Sequence, residues 1–423
     1  MAKRPSAGVV KEVLPNGLRV LVEPLSDFSS VSVGVWVLTG SRDEDPAKTG
    51  ISHLIEHLAF KGTPGRTARQ IALEIDSLGG SLNAFTSKEF TSFYARVLGE
   101  SLPQAIDILG DITLNAAFDQ PDLDREKEVV IQEIMMVEDT PEDLIHDLHS
   151  REFWSGHGLG WPILGTLSSL ESIARQDVVA YHRDRYRSGS IIITAAGAVD
   201  PARLFDEIER SFRGLNSGSF GPDRKSPLAS PGIHVINRSL EQVHFCAGFE
   251  GIRVDHEDRY ALYLLNTILG GGMSSRLFQR IREERGLAYS VYSYHSAYQD
   301  AGLLTIYCGT GPDRFAEALL LIKQEIESLA ASSVSEDEFV TAKRQLKGNL
   351  LLGLESTTNR MNQLARNEIY FGRQVSPSEI EEGIDRITVD EVRYLSERLF
   401  DPARMALSVI GPVDEETIDA TRF

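Results

Sequence analysis

Two stretches of this 423-residue chain run through the same succession of elements. In the first, the strand-like Phe93–Leu98 leads into a helix-forming run over 101–116 and then into Asp119–Leu123. In the second, Leu303–Cys308 leads into a helix from about Arg314 and then into Ser335-Glu336-Asp337-Glu338-Phe339. The offset is about 210 residues, too long for a solenoid period and right for a whole domain. The expected architecture is α+β: two homologous domains, each a mostly antiparallel sheet with helices packed on one face. Between the copies, Asn216-Ser217-Gly218-Ser219-Phe220-Gly221-Pro222-Asp223, followed by Pro227 and Pro231, has the composition of a linker. The expected boundaries are 1–215 for an N-terminal domain, 216–231 for the linker and 232–423 for a C-terminal domain.

Local signals in the first copy agree with a sheet and its helices. Residues 9–39 alternate apolar and polar around Pro15-Asn16-Gly17, which reads as a hairpin. Helices are expected near 50–60, 67–78 and 101–116, the second ended by Gly79-Gly80, and strands near 81–86 and 91–98.

The chemistry is concentrated in His53-Leu54-Ile55-Glu56-His57. On a helix, residues four apart share one face, so both imidazoles can reach one metal ion. Glu56 lies on the flank of that face, within reach of a proton on a metal-activated water. This order is the inverse of the commoner zinc-peptidase motif. A five-residue pattern also arises by chance, so its neighbours carry the argument. With His53 at zero on a helical wheel, His57 falls near 40° and Glu56 near −60°, whereas Ile51, Leu54, Ile55 and Leu58 fall between about 100° and 200°. One side of the helix is apolar, and the other holds every metal-capable group.

Two histidines leave a tetrahedral zinc short of one protein ligand and a water. A second helix is expected from Pro121 onward, with Leu123, Val130, Ile134 and Val137 as its apolar stripe. Glu126 and Glu133, seven residues apart, flank that stripe, while Glu128 and Gln132 point away. A carboxylate beside a core face is costly unless paired or metal-bound. Both are therefore candidates, against the competing reading of a salt-bridged amphipathic helix.

The segment Ser52-His53-Leu54-Ile55-Glu56-His57-Leu58-Ala59-Phe60-Lys61-Gly62-Thr63 resembles the signature of the pitrilysin family of zinc peptidases, above all the catalytic subunit of mitochondrial processing peptidase and its bacterial homologues. The resemblance covers nearly the whole chain. It implies a third zinc ligand 76 residues beyond the second histidine, which is Glu133, and a supporting glutamate seven residues earlier, Glu126. It also implies substrate contacts. The strand in Gly79-Gly80-Ser81-Leu82-Asn83-Ala84-Phe85-Thr86 would pair with an extended peptide through Asn83 and Ala84. Arg282 and Tyr289 would bind the substrate backbone near the scissile bond. Asp143 and Asp147, 10 and 14 residues beyond the third ligand, would read basic residues near the cut, with Asp143 departing from the family's glutamate by one methylene. In the second copy Asn349 stands where Glu133 does, and Leu264-Leu265-Asn266 occupies the region of the histidine motif. One zinc ion per chain is implied, held by the first half.

The resemblance implies a zinc endopeptidase acting on peptides or unfolded presequence-like segments in a closed chamber between two subunits. Because metal set and Arg/Tyr pair occur in one chain, a homodimer is expected, with Arg282 and Tyr289 of one subunit facing the zinc of the other. The rival reading is a non-catalytic or partner-dependent peptide-binding subunit; such subunits usually lack part of the metal set. A zinc hydrolase of another substrate class is a second rival, against which the Asn83-Ala84 strand and the Arg/Tyr pair both stand.

Composition fits these expectations. A formal charge of −19 argues against nucleic acid and suits basic or neutral peptides, and 42% hydrophobic content is enough for substantial cores. Cys246 and Cys308 lie in apolar strand-like runs and read as buried free thiols. The N-terminus shows no secretory signal, and no 18-residue apolar run suggests a membrane span. A bacterial cytoplasmic protein is expected; a mature mitochondrial matrix protein that has lost its transit peptide stays open.

Overall fold

The computed structural model describes residues 8–331, 334–414 and 418. In chain order the first half holds β1 (Val10–Val13), β2 (Arg19–Pro24), β3 (Ser30–Val37), α1 (Ile51–Ala59), α2 (Ala68–Ser77), β4 (Ser81–Thr86), β5 (Thr91–Leu98), α3 (Leu102–Leu114), α4 (Gln120–Glu138) and α5 (Pro141–Phe153). It continues with α6 (Leu167–Ser172), α7 (Arg175–Arg185), β6 (Ile191–Gly197) and α8 (Pro201–Ser211). The second half holds β7 (Gly232–Asn237), β8 (Val243–Glu250), α9 (Arg259–Gly270), β9 (Ala288–Ala297), β10 (Gly302–Thr310), α10 (Phe315–Ala331), α11 (Glu336–Gly353), α12 (Thr357–Phe371), α13 (Pro377–Arg386), α14 (Val389–Leu399) and β11 (Ala406–Gly411).

The fold is α+β and the duplication is visible strand for strand. The first sheet has the order β1-β2-β6-β3-β5-β4 and the second β7-β11-β8-β10-β9. Setting β1 aside, the two orders coincide, and each sheet has one parallel pair, β2 with β6 and β7 with β11, among antiparallel neighbours. The β1–β2 hairpin closes where expected: the Leu14 N–H donates to Leu18 O at 2.9 Å, and Gly17 takes φ 92°.

The chain divides into two units, and neither is one continuous stretch. One comprises 1–135, 161–224 and 353–374; the other comprises 136–160, 225–352 and 375–423. This differs from the contiguous 1–215 and 232–423 division read from linker composition. The helix α12, late in the chain, packs on β2, β3 and β6, whereas α5, early in the chain, packs on β8 and β11. A linker's composition marks where a chain leaves a sheet, but not which sheet a distant amphipathic helix will cover.

In the first unit, Val20, Val22, Val31, Val33 and Val35 point with period two toward the helices, into a core shared with Leu54, Ile55 and Leu58 of α1 and Ile106 and Leu109 of α3. The opposite face, with Leu21, Trp36, Ile192 and Ala196, is not left to water: it receives Met361, Leu364 and Ala365 of α12. Two large apolar side chains such as Met361 and Leu364 contribute about 1.5–3 kcal/mol each when fully buried. Gly34 permits the approach, since a Cβ there would stand 3.0 Å from Met361 Sδ. The second unit repeats the device. Gly248 lies under α5, where a Cβ would meet His149 Nε2 at 2.1 Å, and Ile145 and Leu148 pack with Cys246, Tyr307 and Ile410. Both cysteines are free and buried. Among the described residues no helix is long and apolar enough to cross a membrane.

Candidate metal centre

The centre lies in the first unit, on α1 and α4. The start of α1 is Gly50, in the left-handed region at φ 91°, where a Cβ would come within 2.6 Å of Leu164 O. Ile51, Leu54, Ile55 and Leu58 are buried on the core side, as the wheel requires, and the two histidines stand on the other side with ring centroids 4.6 Å apart. On α4, Leu123, Glu126, Val130 and Ile134 are buried while Glu128 and Gln132 are exposed, so the stripe and its flanks fall where their spacing put them. Glu133 Oε2 lies 3.8 Å from His53 Nε2 and 3.7 Å from His57 Nε2.

These separations are too long for hydrogen bonds. They are close to the roughly 3.3–3.4 Å that separates two ligands standing ~2.0–2.1 Å from one tetrahedral zinc. One ligand atom from each of His53, His57 and Glu133 lies within 4.8 Å of the others, and no other such group of three occurs among the described residues. Burial, reinforced by the neighbouring His57, pulls the pKa of His53 down to about 4, which keeps its ring neutral and its lone pair available. A donor set of two imidazoles and a carboxylate suits zinc. The residues present therefore fit the ion.

Glu56 is buried on the same helix as the two histidines. Its pKa is raised, chiefly by desolvation; the hydrogen bond from Thr86 and the charge of His57 oppose the rise, and Glu133 adds to it. The Thr86 hydroxyl, at the end of β4, donates to Glu56 Oε2 at 2.6 Å. Glu126 is buried with Oε2 at 3.2 Å from His57 Nδ1 and Oε1 at 2.8 Å from Lys61 Nζ. A carboxylate behind a ligating imidazole orients the ring and leaves the far nitrogen free for metal.

Three residues around the centre, Thr86, Lys61 and Glu44, have no role that the sequence alone points to. Glu44 holds the start of α1: its Oε2 accepts from the Gly50 N–H at 2.7 Å and its Oε1 from the Ser52 N–H at 2.8 Å. The Tyr181 hydroxyl, on α7, stands 2.8 Å from Ser52 Oγ. The available signal for Glu44 was a carboxylate shortly upstream of a helix start, which favours anions.

Asn83 and Ala84 lie on β4, the edge strand, which among the described residues pairs only with β5; the Ala84 N–H meanwhile donates to Asn83 Oδ1 at 2.8 Å. The remaining candidates belong to the second unit. Arg282 sits in a π-helical turn (Phe278–Glu284), its guanidinium stacked 4.7 Å from the Phe278 ring centre and 4.5 Å from that of Tyr289. Such turns often mark functional positions. Tyr289, at 80% exposure, and Arg282 line a groove with Gly270, Gly271 and Gly272. Asp143 and Asp147 lie on α5, the first exposed and the second half-buried. At the positions that mirror the metal site, Leu264 and Leu265 are core residues, Asn266 accepts a hydrogen bond from Ser293 at 2.8 Å, and Asn349 is exposed.

A family model described as "Insulinase (Peptidase family M16)" matches residues 19–167, and one described as "Peptidase M16 inactive domain" matches 172–346. The uncharacterized zinc protease YmxG of Bacillus subtilis is 41% identical over 402 residues, covering 94% of this chain and 97% of that protein. A protease from Helicobacter pylori shares the fold with a TM-score of 0.90 at 21% identity, over 95% of this chain and 99% of the other. A chain of complex III2 from Candida albicans does so with a TM-score of 0.86 at 22% identity, over 98% of each. Identity of 41% sustained along nearly the whole of both chains is far more than a shared fold requires, and this chain belongs to peptidase family M16, among relatives named zinc proteases.

Proposed function

We propose that this protein is a zinc-dependent endopeptidase that cleaves peptides or unfolded presequence-like segments, with Glu56 as general base. The observation that supports this most is the convergence of His53, His57 and Glu133 on one small space with the buried carboxylate of Glu56 beside it. His53, His57 and Glu133 would hold one zinc ion per chain. Zinc at such a site supplies Lewis acidity, which activates water and polarises a carbonyl.

The proton chemistry belongs to Glu56. Its carboxylate takes a proton from the attacking water and then delivers it to the leaving amine, so that one water is consumed and a carboxylate and an amine are released. Burial raises the affinity of Glu56 for that proton, and Thr86 fixes the orientation of the acceptor. The free edge of β4 at Asn83 and Ala84 would hold the substrate backbone extended, which is tolerant of sequence. In the same proposal Arg282 and Tyr289 grip the substrate backbone, Asp143 and Asp147 favour basic residues near the cut, and the active form is a homodimer that encloses the substrate.

The second reading, a non-catalytic or partner-dependent peptide-binding subunit, draws on the fold shared with complex III2 and on the description of one matching model as inactive. That model matches 172–346, which leaves out His53, His57 and Glu133, and the grouping of these three in the first half supports the catalytic reading. A peptide-library digest with wild type and Glu56→Gln, zinc content recorded for both, separates the readings. Cleavage by wild type alone, with zinc in both, is expected. No cleavage by zinc-loaded wild type would favour the binding subunit.

A further inference from the structure

Glu126 offers its two oxygens in two directions. Oε2 faces His57 Nδ1 at 3.2 Å, and Oε1 faces Lys61 Nζ at 2.8 Å. The other nitrogen of His57, Nε2, is the one turned to Glu133. A single line of contacts therefore runs from an ammonium through a buried carboxylate and an imidazole to the ligand space.

The local chain explains how Lys61 gets there. It follows α1 by two residues and lies four beyond His57, and its N–H donates to Leu58 O at 3.1 Å. The backbone thus winds on past the helix end, and the side chain returns over the last turn toward α4. The carboxylate it meets is nearly removed from water, whereas the lysine side chain is about a third exposed. A buried carboxylate with two charge-assisted contacts has its plane fixed; with one it can pivot. His53 has no such support: its Nδ1 is buried and has no hydrogen-bond partner among the described residues. The orientation of one ligand ring, His57, is set from behind.

We infer that Lys61 is a positioning residue for the metal centre, acting through Glu126 on the ring of His57. The inference rests on the zinc reading above and deepens it by adding a residue to which that reading assigns no role.

The test compares wild type with Lys61→Met, Lys61→Arg, Glu126→Gln and the Lys61→Met/Glu126→Gln double variant. Two quantities are read: zinc affinity, by competition with a chromophoric chelator, and the d–d absorption spectrum of the Co2+-loaded protein. Loss of an outer partner of a ligand usually weakens metal binding roughly 10–100-fold. That range is expected for Glu126→Gln, with roughly three- to tenfold for Lys61→Met, one contact further out. Lys61→Met should shift the Co2+ spectrum in the same direction as Glu126→Gln, and Lys61→Arg should restore most of both readouts. In the Glu126→Gln background, Lys61→Met should add nothing, because its route to the metal is already cut.

Wild-type affinity and spectrum in Lys61→Met would overturn the inference, as would an equal loss with and without Glu126. A lysine acting only on stability would lower the melting temperature of the metal-free protein and leave the Co2+ spectrum alone, which also overturns it. These results leave the zinc reading standing if Glu133→Gln abolishes binding. Failure of wild type to bind zinc at all would remove that reading and the inference together.

Discussion

Glu44→Gln tests how burial and hydrogen bonding compete at the start of α1. Glu44 is 6% exposed and accepts from two backbone amides, at 2.7 and 2.8 Å. Those bonds and the helix start favour the carboxylate, but desolvation outweighs them and lifts its pKa from 4.5 to about 7. Between those values the folded protein keeps a proton that the unfolded chain releases. Stability from this group is therefore full below about pH 4.5, falls as pH rises, and is lost above about pH 7. The loss across that window is roughly 3 kcal/mol, at about 1.4 kcal/mol per pH unit. Glutamine cannot ionise, and it turns an NH2 toward one of the two amides, at a pH-independent cost of about 1–3 kcal/mol. The stability difference between wild type and variant should therefore move in the variant's favour by up to roughly 3 kcal/mol from about pH 4.5 to about pH 8. Urea unfolding of the metal-free proteins, followed by tryptophan fluorescence across that range, measures the difference while other titrating groups cancel. A pH-independent difference, or one that moves toward wild type as pH rises, would show that the amides outweigh burial and refute the reasoning.

Gly50→Ala should cost more than about 1 kcal/mol, because φ is 91° and the new Cβ would meet Leu164 O at 2.6 Å; an unchanged urea midpoint would contradict it. Arg42→Met removes a partner from a buried pair, Arg42 Nη1 to Glu89 Oε1 at 2.6 Å. Arg224 and the Tyr370 hydroxyl still hold Glu89, so the loss should fall toward the low end of about 3–5 kcal/mol, read by the same unfolding assay. Thr86→Val should keep zinc and lower kcat roughly 10- to 100-fold with little change in KM, since it removes a bond worth roughly 1.5–3 kcal/mol to a charged acceptor. An unaltered kcat would mean that Thr86 does not orient Glu56.

What was legible in the sequence was local or periodic. The wheel of α1 separates Leu54 and Ile55 from His53 and His57 because helical spacing alone does so, and the same holds for Glu126 and Glu133 on α4. The strands at 81–86 and 91–98 fell where alternation and the preceding Gly79-Gly80 set them. What was not legible depends on distant pairing. The parallel contact of β2 with β6 joins Arg19–Pro24 to Ile192–Gly197, and nothing in either segment names the other. The placement of α12 on the first sheet is hidden for the same reason, since its apolar face would suit either sheet. Glu44, Lys61 and Thr86 are ordinary surface residue types by composition, and only the fold brings them to the helix end, to Glu126 and to Glu56.

The central claim is that Glu133 completes a zinc site with His53 and His57 while Glu56 stands outside it. Zinc content per chain after exhaustive dialysis, measured in wild type, Glu133→Gln and Glu56→Gln, tests it most directly. One zinc per chain is predicted in wild type and Glu56→Gln, with nearly none in Glu133→Gln. Full zinc in Glu133→Gln, or its loss from Glu56→Gln, would contradict the assignment of ligand and base.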